Sequence, residues 1–372
     1  MDVIVVGGGI VGTSAAFHLA GKGVSTALVD TFHPGQATAA GTGIVYPWPF
    51  PWDSPAEWGF KVAAAEHYPR LMAALVEDGQ RPGYEVVGGL SVDREGGDAG
   101  FELLDTLSRR PEFDTMGRVE QLAVGEPREH FPLVPADYAG VHIEGMARVD
   151  GRSARTALFH AAEERGLRSY HGDARLLWNG SRVTGVRVGT EDLVAPTVIV
   201  AAGAWSADLL AVTGVDLGVH PVRGQMTGFA LPGRDTRGWP VVRFGERDYY
   251  VSAAAPNRVV TGGTVEPEAG FDHRVTASGL LHNLSTAVEV LPELAEATVV
   301  ETRVGFRPGT HDGRPLLGPI ERVPGALVAT GLGSQGLTFG PFQGVVAARL
   351  ALGEDPGVDL SAFVPDRVQQ PT

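Results

Sequence analysis

A short apolar strand, Val3–Val6, runs straight into Gly7-Gly8-Gly9-Ile10-Val11-Gly12, and a helical pattern follows from Val11 to Lys22. A second strand, Thr26–Asp30, then ends on an acid eighteen residues past Gly12. This order constrains the fold more than any other feature, because strand, glycine loop, helix and strand make one βαβ unit of a parallel sheet. It also gives G-x-G-x-x-G the context in which the motif means something. Gly7 permits a tight turn, Gly9 lets backbone N–H groups approach a pyrophosphate, and Gly12 lets the helix pack closely on the strand. The helix N-terminus adds positive dipole character for phosphates. Asp30 can accept hydrogen bonds from both ribose hydroxyls of an adenosine. With Ile10, Val11 and Thr31 these residues form the expected dinucleotide cradle.

Composition narrows the class further. The length of 372 residues suggests two domains. Glycine numbers 51, about 14%, against a usual value of roughly 7%. The excess has no Gly-X-Y period and sits in loops beside apolar runs, where backbone must approach a ligand closely. Thirty basic residues stand against 44 acidic ones, a net charge of −14 with no basic stretch. That balance argues against nucleic acid or an anionic membrane as partner. Cysteine is absent, which excludes disulfides, thiolate metal sites, iron–sulfur clusters and a cysteine nucleophile. The eleven histidines are scattered, so no metal site is expected. No run of 18 apolar residues occurs and the first apolar run lacks a basic flank, so neither a transmembrane helix nor a secretory signal is expected, and the protein is expected in the cytoplasm.

Along the chain, a loop of glycine and alanine at Pro34–Gly43 leads into an aromatic and proline run, Tyr46–Trp52, and then a helix, Glu57–Glu77. Helical patterns return at Arg152–Gly166 and Val275–Leu291; between them come alternating segments at Arg182–Val188 and Leu193–Ala201, then strands at Val219–Phe229, Val241–Phe244, Tyr249–Val251 and Arg258–Thr261. The end reads as strand Ala326–Thr330, glycine loop Gly331–Gly336 and helix Leu337–Leu352, with a polar closing segment from Gly353. The expected class is α/β. A Rossmann-like dinucleotide-binding domain is assembled from residues 1–82, 146–217 and 304–372. An α+β substrate domain with a large mixed or antiparallel sheet comprises 83–145 and 218–303.

Gly331-Leu332-Gly333-Ser334-Gln335-Gly336 is a second formal G-x-G-x-x-G, but no strand with a terminal acid follows its helix. It cannot complete a second nucleotide unit. Aiming its helix N-terminus at a ligand held by the first unit is the better use, since reduced flavin carries negative charge on its N1–C2=O edge.

With these pieces in view the sequence resembles the glycine oxidase/D-amino-acid dehydrogenase family of FAD-dependent amine oxidoreductases, the wider group that includes sarcosine oxidases. The matching segments are Val3–Asp30, Gly35–Ile44, Val198–Ser206, Pro221–Gln225, Gly305–Gly313 and Gly331–Gly340, spread end to end. The resemblance implies that Ala37 and Thr38 contact phosphate and that Thr42, Gly43 and Ile44 contact the isoalloxazine. Ala174 would offer backbone to the adenine. Ala202, Gly203 and Trp205 would close over the pyrophosphate side, and Gly331, Gly333, Ser334, Gln335, Gly336, Leu337 and Thr338 would lie beside the flavin. Family members with covalent flavin use a cysteine near Gly305 or a histidine near the Gly35–Gly43 loop; neither occurs there, so non-covalent FAD is implied.

For substrate, the resemblance puts Arg307 on the carboxylate, and a planar guanidinium suits that task by gripping bidentately. The competing expectation is a structural cluster with Asp312 and Arg314. Tyr249 and Tyr250 share a strand and point oppositely; the family pattern puts Tyr250 in the pocket. Ser334 and Gln335 complete the expected catalytic set, and Arg223 reads as structural. Two departures limit the substrate assignment: Ser334 stands where glycine oxidases have a second arginine, and Leu332 where many D-amino-acid dehydrogenases have histidine. The Tyr46–Trp52 aromatics either wall the site or pack between domains. The expected reaction is FAD-dependent oxidation of the Cα–N bond of an amino acid or N-substituted amino acid, with hydride passing to flavin N5. Only two lysines exist, Lys22 and Lys61, and neither matches the oxygen-promoting lysine of sarcosine oxidases, which tilts the expectation towards a dehydrogenase with an unknown acceptor. A 2-hydroxy-acid dehydrogenase with His311 as base is the rival, and a flavin-binding partner without chemistry is the third reading. A homo-oligomer stays open.

Overall fold

The computed structural model describes residues 1–48, 54–94, 101–254 and 256–369. Val3–Val6 and Thr197–Val200 are apolar runs buried on both faces, as strands inside a parallel sheet must be. They lie at the centre of a six-stranded sheet ordered Leu316–Pro319, Ala326–Thr330, Thr197–Val200, Val3–Val6, Thr26–Asp30, Arg168–His171. Every neighbour pair is parallel except Leu316–Pro319, which runs against Ala326–Thr330. From Val3–Val6 the chain builds outward in both directions, so a crevice opens beyond the carboxyl ends of Val3–Val6 and Thr197–Val200.

The helix Ile10–Gly21 is buried almost all round, packed against Gly151–Glu164 and Gly336–Ala351. The second crossing is close because Gly340 and Gly344 face it: a Cβ at Gly344 would run into the Val11 carbonyl and Ser14. Ser14 Oγ donates to the Pro341 carbonyl at 2.6 Å. Two helix N-termini are thereby set side by side over one crevice.

The second large sheet has eight strands, ordered Thr298–Gly309, His220–Ala230, Arg258–Gly262, Tyr249–Ala253, Val241–Phe244, Gly89–Asp93, Ala139–Ile143, Val119–Leu122. One face is apolar and packs Phe229, Val251 and Val259 against Ala287 and Val290 of the helix Ala277–Val290. The other face turns to the crevice. Two small sheets complete the strands: Ala174–Trp178 with Val183–Val188 and Glu191–Val194, and Ile44–Val45 with Ala147–Val149 and Tyr84–Val86.

Three expectations change. The boundary at residue 304 falls inside Thr298–Gly309, which pairs with His220–Ala230 along its whole length as part of the large sheet. The single alternating segment Leu193–Ala201 is two strands, Glu191–Val194 and Thr197–Val200, in different sheets. The segment after Gly353 is not merely a polar close: Phe363 is 2% exposed, its ring 5.0 Å from Phe60, and its carbonyl accepts from Leu317 N. One aromatic is enough to dock a tail that composition reads as polar. No helix among the described residues is long and apolar enough to cross a membrane.

Candidate active site

One elongated cavity of about 1210 Å³ runs between the two large sheets. At its start, Asp30 ends its strand with a carboxylate that accepts from Gln36 Nε2 at 3.1 Å and lies 3.5 Å from Arg155 Nη2. Arg155 also donates through Nε to the Gly8 carbonyl, with its guanidinium 4.6 Å over the Phe32 ring. Burial pulls the Arg155 pKa down, and the Asp30 charge opposes this. Thr31, Ala174 and Arg175 line the same end, and Thr31 Oγ1 donates to the Gly172 carbonyl. Asp30 is thus held by Gln36 and Arg155, neither of which the sequence reading singled out.

In the middle, Gly7, Gly9, Ile10, Val11, Ala37, Thr38, Ala202, Gly203 and Trp205 all line the cavity. Gly7 has φ +107°, and a Cβ there would collide with the Ala201 carbonyl. At Gly9 an added Cβ would crowd Thr38 Oγ1 at 3.3 Å, the oxygen that accepts from Ile10 N at 3.0 Å. The cradle is therefore backbone, hydroxyl and helix end, with no side chain filling it, which is what a pyrophosphate needs. His33 stacks on Trp205 and Trp205 on Phe271, each pair with centroids 5.0 Å apart. Gly12 and Gly331 do not line the cavity. Gly12 presses against the Gly7 carbonyl and Gly331 against Thr310 and Leu316, so both serve close packing.

Further on lie Thr42, Gly43 and Ile44, facing Gly333, Ser334, Gln335, Gly336, Leu337 and Thr338. Thr338 Oγ1 donates to the Ile44 carbonyl at 3.2 Å and accepts from Tyr46 N at 3.3 Å, tying the loop to the helix Gly336–Ala351. Gln335, at the N-cap of that helix, makes no side-chain capping bond, so the positive end of the dipole faces the cavity. An extended dinucleotide with an aromatic ring system fits this sequence of surfaces: acid, glycine cradle, then open helix end.

Arg307 lines the far wall, its Nη1 donating to the Thr264 carbonyl at 2.9 Å. No carboxylate among the described residues lies within 4 Å of its guanidinium, while burial lowers its pKa and Glu266 opposes this. The alternative cluster does not form: Asp312 pairs instead with Arg367 at 2.9 Å, and Arg314 with Glu57 at 3.3 Å. Arg223 is buried and paired with Glu266 and Asp272, a structural role. The two tyrosines divide as the pleat requires. Tyr249 is buried, its hydroxyl bonded to Thr261 Oγ1 and the Asn283 carbonyl, whereas Tyr250 faces the cavity. Burial raises the Tyr250 pKa, with Arg243 lowering it and Asp248 raising it.

The aromatic run splits in the same way. Tyr46 lines the cavity and Trp48 is buried, donating to Thr115 Oγ1; residues 49–52 lie outside the described residues. His311 is exposed, stacked on His220, and does not line the cavity, which leaves the hydroxy-acid reading without its base. Arg243 is a further residue that sequence reasoning missed: it lines the cavity from the strand Val241–Phe244, and the signal available was a single cation alternating with buried apolar neighbours.

These surfaces have counterparts in known proteins. Residues 2–350 match the family of FAD dependent oxidoreductases. An uncharacterized oxidoreductase of Bacillus subtilis (strain 168) is 39% identical, with 97% of this chain and 98% of that protein covered. A glycine oxidase of Pseudomonas putida is 31% identical, covering 98% of each. Among solved structures, iminodiacetate oxidase from Chelativorans sp. BNC1 superposes with a TM-score of 0.89 at 38% identity, over 98% of this chain and 99% of that one. Cradle, open helix end and end-to-end similarity agree, and the chain belongs to the FAD dependent oxidoreductase family as an amino acid and amine oxidoreductase that uses FAD.

Proposed function

We propose that the protein oxidises the Cα–N bond of an amino acid or N-substituted amino acid, in the class of D-amino acids, glycine, sarcosine or cyclic imino acids. The observation that carries this reading is Arg307, a half-buried guanidinium in the cavity wall with no carboxylate partner among the described residues. FAD, when bound, supplies the two-electron acceptor that takes the Cα hydrogen as hydride. Arg307 binds the substrate carboxylate and fixes the Cα–H towards the ring. Tyr250 lines the cavity from the same large sheet. No catalytic His or Glu is required, because the amine needs only to arrive neutral; the imine product hydrolyses to an oxo acid and an amine.

Two acceptors compete for the reduced enzyme. Neither lysine lines the cavity: Lys22 pairs with Glu354 at the surface, and Lys61 is buried near Phe339. This favours an acceptor other than oxygen, whereas the similarity to oxidases favours oxygen. Anaerobic mixing of the yellow protein with a panel of amines and matched 2-hydroxy acids tests the reaction. Amines are expected to bleach the flavin band and hydroxy acids to leave it. Admitting air and timing the return of colour then separates the acceptors. A flavin that no amine reduces removes this reading.

A further inference from the structure

Along the strand Val241–Phe244 the cavity wall changes from charged to apolar within one pleat repeat. Arg243 and Val241 are two residues apart and share the cavity face. Arg243 donates through Nε and Nη2 to Asp248, at 3.2 and 3.0 Å, and the Asp248 side chain is 71% exposed, so this end of the strand meets water. Val241 lies about 7 Å further along, two residues of a strand, and is buried. It pairs with Gly89, and Gly89 pairs with Ile143, so the three stand side by side on one face. A Cβ at Gly89 would collide with Met146 Sδ, and the missing side chain is what lets Met146 lie across the sheet there.

Three more residues complete this end of the cavity: Leu104 from the helix Phe101–Ser108, and Ile44 and Tyr46 from the loop beyond the glycine cradle. Val241, Ile143, Met146 and Leu104 belong to one hydrophobic cluster, and Ile44 and Tyr46 pack against it. None of the six is charged, and only Tyr46 ends in a hydroxyl. A polar or charged group moved into such walls gives up its hydration for nothing of equal strength. An alkyl group gains, because each methylene leaves water for an apolar surface.

Resting on the amine-oxidation reading above, we propose that the substrate carries an apolar arm, an alkyl or aryl chain on the amine nitrogen or on the oxidised carbon, and that this chamber is the pocket that selects it. Arg307 holds the carboxylate, and the arm runs past Tyr250 towards Val241 and Ile143. Met146 and Leu104 set the length it can reach.

Two sets of probes test this. Acetate, butanoate and hexanoate have no Cα–N bond to oxidise, and their binding to the holoenzyme is read by titrating the flavin spectrum. Kd is expected to fall about fourfold for each added methylene, the effect of burying one CH2. Leu104→Trp should flatten that series and Met146→Ala should extend it to longer chains, with bound flavin checking that both variants fold. N-alkylglycines and 2-aminoalkanoates of the same lengths then serve as substrates, and the series whose kcat/KM rises with length shows which atom bears the arm. A wild-type Kd that does not fall with chain length, a carboxylate series that both variants leave unchanged, or a kcat/KM flat in both amine series overturns the apolar arm while the oxidation of amines stands. If the carboxylates bind as expected but no amine of either series reduces the flavin, the chamber stands and the amine-oxidation reading falls.

Discussion

At the scale of single residues, the site is decided by which polar groups are left wanting a partner. Arg223 and Arg307 sit on adjacent strands only a few residues apart in register, yet Arg223 is satisfied by Glu266 and Asp272 whereas Arg307 meets only carbonyl oxygens. A half-buried cation bonded to neutral acceptors gains more from an arriving carboxylate than one already neutralised. Arg307→Ala is therefore expected to weaken binding of a non-oxidisable carboxylate ligand by about 2–5 kcal/mol, read by titrating the flavin spectrum; binding within twofold of wild type would take Arg307 out of the site. Arg307 was legible because its surrounding Gly-Phe-Arg-Pro-Gly-Thr segment is local. Arg243 and Arg155 were not, because what they do depends on Tyr250, Asp248, Gly8 and Asp30, which only folding brings to them.

At the scale of elements, the crossing of helices gives a pH dependence. His18 of the helix Ile10–Gly21 and His67 of the helix Pro55–Glu77 have ring centroids 5.4 Å apart, and the Nε2 of each lacks a hydrogen-bond partner among the described residues. Burial lowers the His18 pKa from 6.5 to about 3, helped by His67 and nearby arginines; burial lowers that of His67 to about 4. Between pH 6.5 and 4 the unfolded chain binds protons that the folded one refuses, so stability is full above 6.5 and is lost as pH falls through that window. The His67 share is about 3 kcal/mol at its limit. Replacing His67 by Phe should flatten the slope of unfolding free energy against pH in denaturant titrations, and an unchanged slope would show that these imidazoles are not the cause. The helices themselves were readable from periodicity, within a residue or two at Ile10–Gly21, Ala277–Val290 and Gly336–Ala351. Their pairing was not, since Gly340 and Gly344 act only opposite Val11 and Ser14.

At the scale of the whole molecule, the nucleotide-binding sheet is stitched from distant segments and closed by the chain's end. Phe363 joins the cluster of Phe60, Phe339 and Phe342 that backs the cavity helix. Phe363→Ala should cost about 3–5 kcal/mol of stability, as other buried aromatic truncations do, and should loosen the cofactor by freeing the helix Gly336–Ala351. Thermal unfolding with and without added FAD measures both effects; a midpoint within 1–2 °C of wild type would mean the tail is only an appendage.

That a dinucleotide cradle follows the first strand and that the two tyrosines point oppositely was legible in the sequence alone. Each depends on residues a few positions apart, where turn geometry, helix start and pleat leave little choice. FAD as the cofactor and Tyr250 as the cavity-facing tyrosine came from the family resemblance. Which polar groups the cavity presents was decided only by tertiary structure. Sheet register sets Arg243 beside Tyr250 and leaves Arg307 without a carboxylate, and register between strands dozens of residues apart is a property of the folded chain rather than of any segment.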